Sequence, residues 1–347
     1  MRAFRTACMA CLLIAWPAGT TGAVNIETVR VGNPGNAGDT EVVWDGTTGY
    51  GSVGYTYNIG KYEVTAGQYT EYLNRVGGVD TYGLYHTEMA NTSSGSGITR
   101  SGGGTVGNPY TYTVASSHVN RPVNWVSYWD SCRFANWLHN GQPTGNQGPG
   151  TTETGAYTLN GYNGDDGRTI QRNDGWKWAV PSEDEWYKAA YHKNDGVTGN
   201  YWDYPTSSNT APGQDMADAS GDNANCYTAP YTYPIDSPYY TTVAGEFQNS
   251  DSPYGTFDQG GNVWEWNESI VYQDATYSAR GLRGGSFDEC PYADSLLLAW
   301  NRTSVYNYGL RPYEYFDCGF RVSEVPEPAT VLLLVFAGLG ALRTRRA

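Results

Sequence analysis

The stretch that most constrains this chain is Gly255-Thr256-Phe257-Asp258-Gln259-Gly260-Gly261-Asn262-Val263-Trp264-Glu265-Trp266. Gly260-Gly261 frees the backbone to take positive φ, so main-chain carbonyls can turn toward a common point. Asp258 and Glu265 flank that turn, and carboxylate plus carbonyl oxygens are what a hard cation such as calcium prefers. Val263, Trp264 and Trp266 give the following residues a half-buried, strand-like character. The stretch reads as a cation-binding turn or simply as a tight turn beside core tryptophans.

Its surroundings are poor in charge and rich in glycine and aromatics. Charged residues make up 16% of the 347, against 44 Gly, 30 Tyr and 12 Trp. Few apolar runs have helical spacing, so the expectation is a loop-rich globule in which Tyr and Trp supply much of the core. A net charge of −14 argues against a nucleic-acid partner, whose phosphates demand a basic surface.

Both ends read as addresses. Arg2 and Arg5 precede an apolar run to Trp16 and small residues ending at Ala23, the pattern of a secretory signal peptide cut after Ala23. At the far end Val325-Pro326-Glu327-Pro328 leads into an apolar segment, Val331 to Leu342, and then Arg343-Thr344-Arg345-Arg346. That segment is short for a span of about 20 residues, but its basic flank fits transient membrane insertion. The arrangement resembles the bacterial PEP-CTERM sorting signal. The resemblance implies an exosortase-type processing protease as partner, and delivery to the cell surface or extracellular matrix of a Gram-negative-type bacterium. Residues 1–23 and 326–347 then lie outside a single domain of residues 24–325. Of its cysteines, Cys132, Cys226, Cys290 and Cys318, four in number, permit three pairings.

Within the domain, strands are expected at 29–31, 41–44, 55–64 and 176–181, and near 282–287 and 318–322. Thr65 with Gln68 and Ser182 with Glu185 form capping boxes that open helices, and Ser127 caps a third. Tyr69, Tyr72 and Leu73 make the apolar side of the first helix; Cys132, Ala135, Trp137 and Leu138 that of the helix after Ser127. Glu183, Asp184 and Glu185 complement a helix dipole, a structural role rather than a catalytic one. Residues 77–117 and 141–175 read as long surface excursions, and His86, His118, His139 and His192 as scattered surface residues without metal-ligand spacing.

Six ordered segments carry a wider resemblance: Tyr62-Glu63-Val64-Thr65, Pro122-Val123-Asn124-Trp125-Val126-Ser127, Pro181-Ser182-Glu183-Asp184-Glu185-Trp186, Gly261-Asn262-Val263-Trp264-Glu265-Trp266, Arg283-Gly284-Gly285-Ser286-Phe287 and Gly319-Phe320-Arg321-Val322. Over residues 55–323 the chain resembles the formylglycine-generating enzyme, or sulfatase-modifying factor, domain family. The resemblance implies an α+β, loop-rich, C-type-lectin-like fold with few short helices and short antiparallel strands. It implies a calcium site with side-chain oxygens from Asp258 and Glu265 and carbonyls from Gly261 and Val263. A second site aligns with Asn225, the Cys226 carbonyl, Asp236 and the Pro238 carbonyl.

Catalytic members oxidise a substrate cysteine with copper(I) held by two thiolates just after the Gly-Gly-Ser strand, and soft thiolates suit that ion. Here Cys290 falls near the first position and Ser295 occupies the second, so the copper site is degenerate. A Cys290–Cys318 disulfide would leave no thiol for copper. Two functions follow. One is an exported, non-catalytic, calcium-stabilised module whose Tyr, Trp and Asn contact a glycan or peptide. The other is a metal-dependent oxidoreductase acting on protein cysteine through Cys290 and Ser286, with Trp300 or Arg302 nearby.

Overall fold

Three side-chain pairs start the helices. The computed structural model describes residues 23–43, 45–217, 220–226, 234–288, 297–299, 301 and 314–326. The Gln68 N–H donates to Thr65 Oγ1 at 3.2 Å and the Thr65 N–H donates to Gln68 Oε1 at 2.8 Å, opening α1, Ala66–Val76. Ser127 and Asp130 close the same box for α2, Tyr128–His139, and Ser182 and Glu185 for α3, Glu183–Tyr191. Each box satisfies two donors that a helix start otherwise leaves orphaned.

The strands are short. β1 (Thr28–Val31), β2 (Tyr57–Gly60), β5 (Trp178–Ala179) and β9 (Ser323–Glu324) form an antiparallel sheet in the order β1-β2-β9-β5. β3 (Ile98–Ser101) and β4 (Thr111–Val114) make a hairpin. β6 (Trp264–Gln273) pairs antiparallel with β7 (Ser278–Arg283) and parallel with β8 (Cys318–Gly319). The fold is α+β and loop-rich, as expected.

Its main core lies between α1, α2 and the β6–β8 sheet. Tyr69, Tyr72 and Leu73 of α1 are fully buried, and Tyr72 meets Phe134 edge-on at 5.2 Å and Trp137 at 5.1 Å. Phe134 in turn meets Phe320 at 5.4 Å. Ion pairs lock two long loops and the end of β7 onto the helices: Arg133 on Glu153 at 2.7 Å, Arg172 on Glu185 at 2.8 Å, and Arg283 on Glu183 at 2.8 Å. Glu183 and Glu185 are therefore structural, and Asp184 accepts the Gly51 N–H at 2.9 Å.

Several local expectations change. Residues 77–117 are not a surface excursion: Leu84, Met89, Ile98 and Tyr112 are buried in the main core, and the β3–β4 hairpin lies among them. Asp80 holds that segment by accepting the Leu84 N–H at 2.7 Å, a local bond with no sequence period to betray it. Residues 141–175 likewise send Glu153, Ala156, Tyr157 and Leu159 inward. Residues 41–43 form no strand, because the Val43 N–H and C=O close a turn with Thr47 and Gly46; Trp44 lies outside the described residues. His118 and His192 are buried rather than superficial, and His192 Nδ1 lies 2.8 Å from the Tyr254 hydroxyl. The expected leader to residue 22 and the expected tail from residue 327 lie outside the described residues. Among those described, no helix is long and apolar enough to cross a membrane.

Candidate metal centre

The turn before β6 is built from left-handed residues. Asp258 (φ 58°), Gly261 (φ 81°) and Asn262 (φ 61°) curl the chain within five positions. Gly261 is required there by space as well: a Cβ would lie 2.3 Å from the Asn225 carbonyl oxygen. That close approach lets the Asn262 N–H donate to the Asn225 carbonyl at 2.7 Å. Asn262 is wholly buried; its Oδ1 accepts from Asn225 Nδ2 and the Thr242 N–H, and its Nδ2 donates to Glu63 Oε1 at 3.1 Å.

Charge is unbalanced at this point. Glu63 is buried, and its Oε2 has no hydrogen-bond partner among the described residues. Burial pushes the Glu63 carboxyl well above the usual range, and the charges of Asp258 and Glu265 push it further. Asp258 is driven up to about 6, chiefly by burial, although the Gly245 N–H donates to its Oδ2 at 2.6 Å. One guanidinium faces all three carboxylates: Arg321, whose Nε and Nη2 grip Glu265 at 2.6 Å each. Glu265 Oε2 also accepts from the Trp186 indole at 2.7 Å. Glu265 is thus already neutralised, while Glu63 and Asp258 are left to share a proton or a cation.

That donor set fits a hard cation. Among the described residues no three His, Cys, Asp or Glu side chains form a ready-made cage. Backbone carbonyls would have to complete the shell, as they do in flexible calcium sites. Bound there, calcium would supply two positive charges against Glu63 and Asp258. Asp258, Gly261, Val263, Glu265 and Asn225 come together at this turn. Asp236 does not join them; its Oδ2 accepts from Arg121 Nη2 at 2.6 Å. Glu63 was not among the expected ligands. It lies beyond the end of β2, where no alternation of burial continues: Lys61 pairs with Glu27 at the surface, and Glu63 and Val64 are both buried.

The second cluster lies close by along the chain. Ser286 is fully buried, and its hydroxyl donates to Asp317 Oδ2 at 3.0 Å. The Phe287 N–H donates to the Asn262 carbonyl at 3.1 Å, joining this cluster to the turn. Cys318 Sγ donates to Asp317 Oδ1 at 3.7 Å. Cys290, Ser295, Trp300 and Arg302 lie outside the described residues. An aromatic chain runs outward from here: Phe287 to Phe316 at 5.8 Å, then Trp125, which stacks on His86 at 4.6 Å. Trp125 holds φ at 60°, an uncommon conformation for a bulky residue, and its indole N–H is buried without an acceptor among the described residues.

Residues 48–322 match the family model of the sulfatase-modifying factor enzyme 1-like domain. The chain belongs to that family. Its fold is similar to that in the crystal structure of CarF, with a TM-score of 0.52 and 18% identity over 87% of this chain and 99% of that one. It is similar as well to Treponema denticola variable protein 1, with a TM-score of 0.53 and 17% identity over 89% and 98%. PvdO from Pseudomonas aeruginosa aligns at a TM-score of 0.47 and 16% identity over 86% and 94%. At these identities the likeness is one of fold. No curated protein matches the chain. The sulfatase-modifying factor motifs read in the sequence are thus spread through both clusters: Glu63, Asn262, Glu265 and Arg321 at the turn, and Ser286 beside Asp317.

Proposed function

We propose that this sulfatase-modifying factor domain is a calcium-stabilised, non-catalytic binding module, exported and held at the cell surface or in the extracellular matrix. The observation that carries the calcium reading is the buried Glu63 Oε2, without a partner beside Asp258. A buried Glu63 and a partly buried Asp258 facing one already committed guanidinium favour a divalent ion over an apo site. The non-catalytic reading is supported by cysteine supply: Cys290 stands alone after Ser286, with Ser295 where a second thiolate would be needed. Cys132 is no substitute, because burial pushes its thiol up to about 12. The partly buried aromatics Trp125, Tyr315 and Phe316 offer edges for a glycan or peptide. Residues 1–23 as signal peptide and 326–347 as PEP-CTERM tail would bring the domain of residues 24–325 to an exosortase-type protease after transient membrane insertion.

A second reading, a formylglycine-type oxidoreductase acting through Cys290 and Ser286, is favoured by the convergence of Ser286, Asp317 and Cys318. One experiment separates the two. The purified protein is titrated with Cu(I), incubated with a sulfatase-type cysteine peptide and read by mass spectrometry, while calcium and EDTA melting curves run alongside. The module reading expects no formylglycine and a melting temperature raised by calcium. Conversion of the peptide cysteine would overturn it in favour of the oxidase.

A further inference from the structure

We infer that Arg121, and not a calcium ion, is the resident counter-charge of Asp236, so that the second calcium site implied by the family resemblance is replaced by a guanidinium. This rests on the calcium reading of the Asp258 turn only for its contrast. Among the described residues, Glu63, Asp258 and Glu265 face one guanidinium at that turn, whereas Asp236 has Arg121 to itself. Arg121 Nη2 lies 2.6 Å from Asp236 Oδ2, Nη1 donates to the Thr241 carbonyl, and Nε donates to the Ser117 carbonyl at 2.9 Å. All three guanidinium nitrogens are engaged, Arg121 is 5% exposed, and its guanidinium carbon stacks 4.2 Å over the Tyr239 ring. A planar fork held at three points and stacked on an aromatic face is fixed in place.

The other groups around Asp236 do not restore a cation site. His118 packs edge-on against Tyr239 at 5.1 Å; burial and the neighbouring Arg121 charge lower its pKa, which favours the neutral ring. Asn225 is turned away into the first cluster, donating to the Tyr240 carbonyl and to Asn262. A divalent ion on Asp236 would face the guanidinium at close range, and like charges at such a distance repel. Arg121 therefore does what a bound ion would do. It ties residues 117–121 to residues 236–241, and it does so whether or not calcium is present.

The test uses the full chain as wild type and as Asp236→Asn, Arg121→Gln, Arg121→Lys, Asp258→Asn and the Arg121→Gln/Asp236→Asn double variant. Calcium equivalents are measured by elemental analysis after dialysis, and melting temperatures in EDTA. The expected result is that Asp236→Asn keeps the wild-type calcium content and that Asp258→Asn loses calcium. Arg121→Gln and Asp236→Asn should each lower the EDTA melting temperature by more than about 5 °C, and the double variant should fall well short of the sum. If Arg121→Gln does not fold, Arg121→Lys, which keeps charge but not the fork, takes its place in the comparison. Loss of one calcium equivalent in Asp236→Asn, or additive melting losses, overturns the inference. A wild type that binds no calcium sinks the Asp258 reading instead, and the melting cycle in EDTA still decides the role of Arg121.

Discussion

Arg321 grips Glu265 with two bonds of 2.6 Å while donating to the carbonyls of Gly60 and Phe257 at 2.9 Å. One side chain thereby fastens the end of β2, the Asp258 turn and β6, and both Arg321 and Glu265 are fully buried. Removing either partner strands a buried charge, which costs far more than the net worth of the pair. Glu265→Gln and Arg321→Met are each expected to lose about 3–5 kcal/mol in urea unfolding. The Arg321→Met loss should be the larger, since it also orphans two carbonyls. A loss under about 1 kcal/mol for both would mean that the pair does not organise the turn.

The raised carboxyls set a pH signature. Asp258 is pushed up to about 6 and Asp130 to about 7, both chiefly by burial, Asp130 also by Glu314. Their ordinary value is near 4, so between about pH 4 and 7 the folded chain holds more protons than the unfolded chain. Stability from these groups therefore falls as pH rises through that window. Calcium on Asp258 reverses the sign for that residue by favouring its ionised form. Melting in EDTA should decline from pH 5 to pH 7, and the gain from added calcium should grow over the same range. A calcium gain that is flat with pH would show that Asp258 is not at the ion.

How far the sequence could be read depends on where the information lay. Thr65 with Gln68 and Ser182 with Glu185 are local chemistry, and the helices they open begin there. The box at Ser127 was half visible, because Asp130 in place of Glu or Gln gives a weaker pattern. Tyr69, Tyr72 and Leu73 followed from spacing. Leu84 and Met89 did not, since irregular backbone pinned by Asp80 carries no period, and Ile98 and Tyr112 lie on strands of only four residues. At the site, Asp258, Gly261 and Glu265 sat in one short stretch and could be named together. Glu63 is about 200 positions away and reaches Asn262 only through the fold, a separation of 199 residues. That Arg121 would take Asp236 is likewise a contact across 115 residues that no local pattern announces.

Gly261 tests the geometry of the turn directly. With φ at 81° and the Asn225 carbonyl 2.3 Å from where a Cβ would stand, alanine meets both a disfavoured conformation and a backbone clash. Gly261→Ala is expected to cost about 2 kcal/mol or more and to weaken calcium binding in isothermal titration. Gly46, also at positive φ but with open space around it, serves as the control: Gly46→Ala should leave calcium affinity unchanged. Equal calcium affinity in Gly261→Ala and wild type would place the ion elsewhere.

Cys132 supplies a last check, on whether the core is as closed as its burial implies. The thiol is wholly buried on α2, and burial pushes it up to about 12, so almost none of it is thiolate at neutral pH. Thiolate is the reactive form, and access is blocked by Tyr128 and the β6 sheet packed on the same core. Native protein treated with iodoacetamide should leave Cys132 unlabelled by peptide mass mapping, while urea-unfolded protein labels it fully. Cys132→Ala should cost about 1–2 kcal/mol for the small cavity and leave calcium binding and any ligand binding untouched. Rapid native labelling would mean that α2 opens far more readily than a helix buried along nearly its whole length allows.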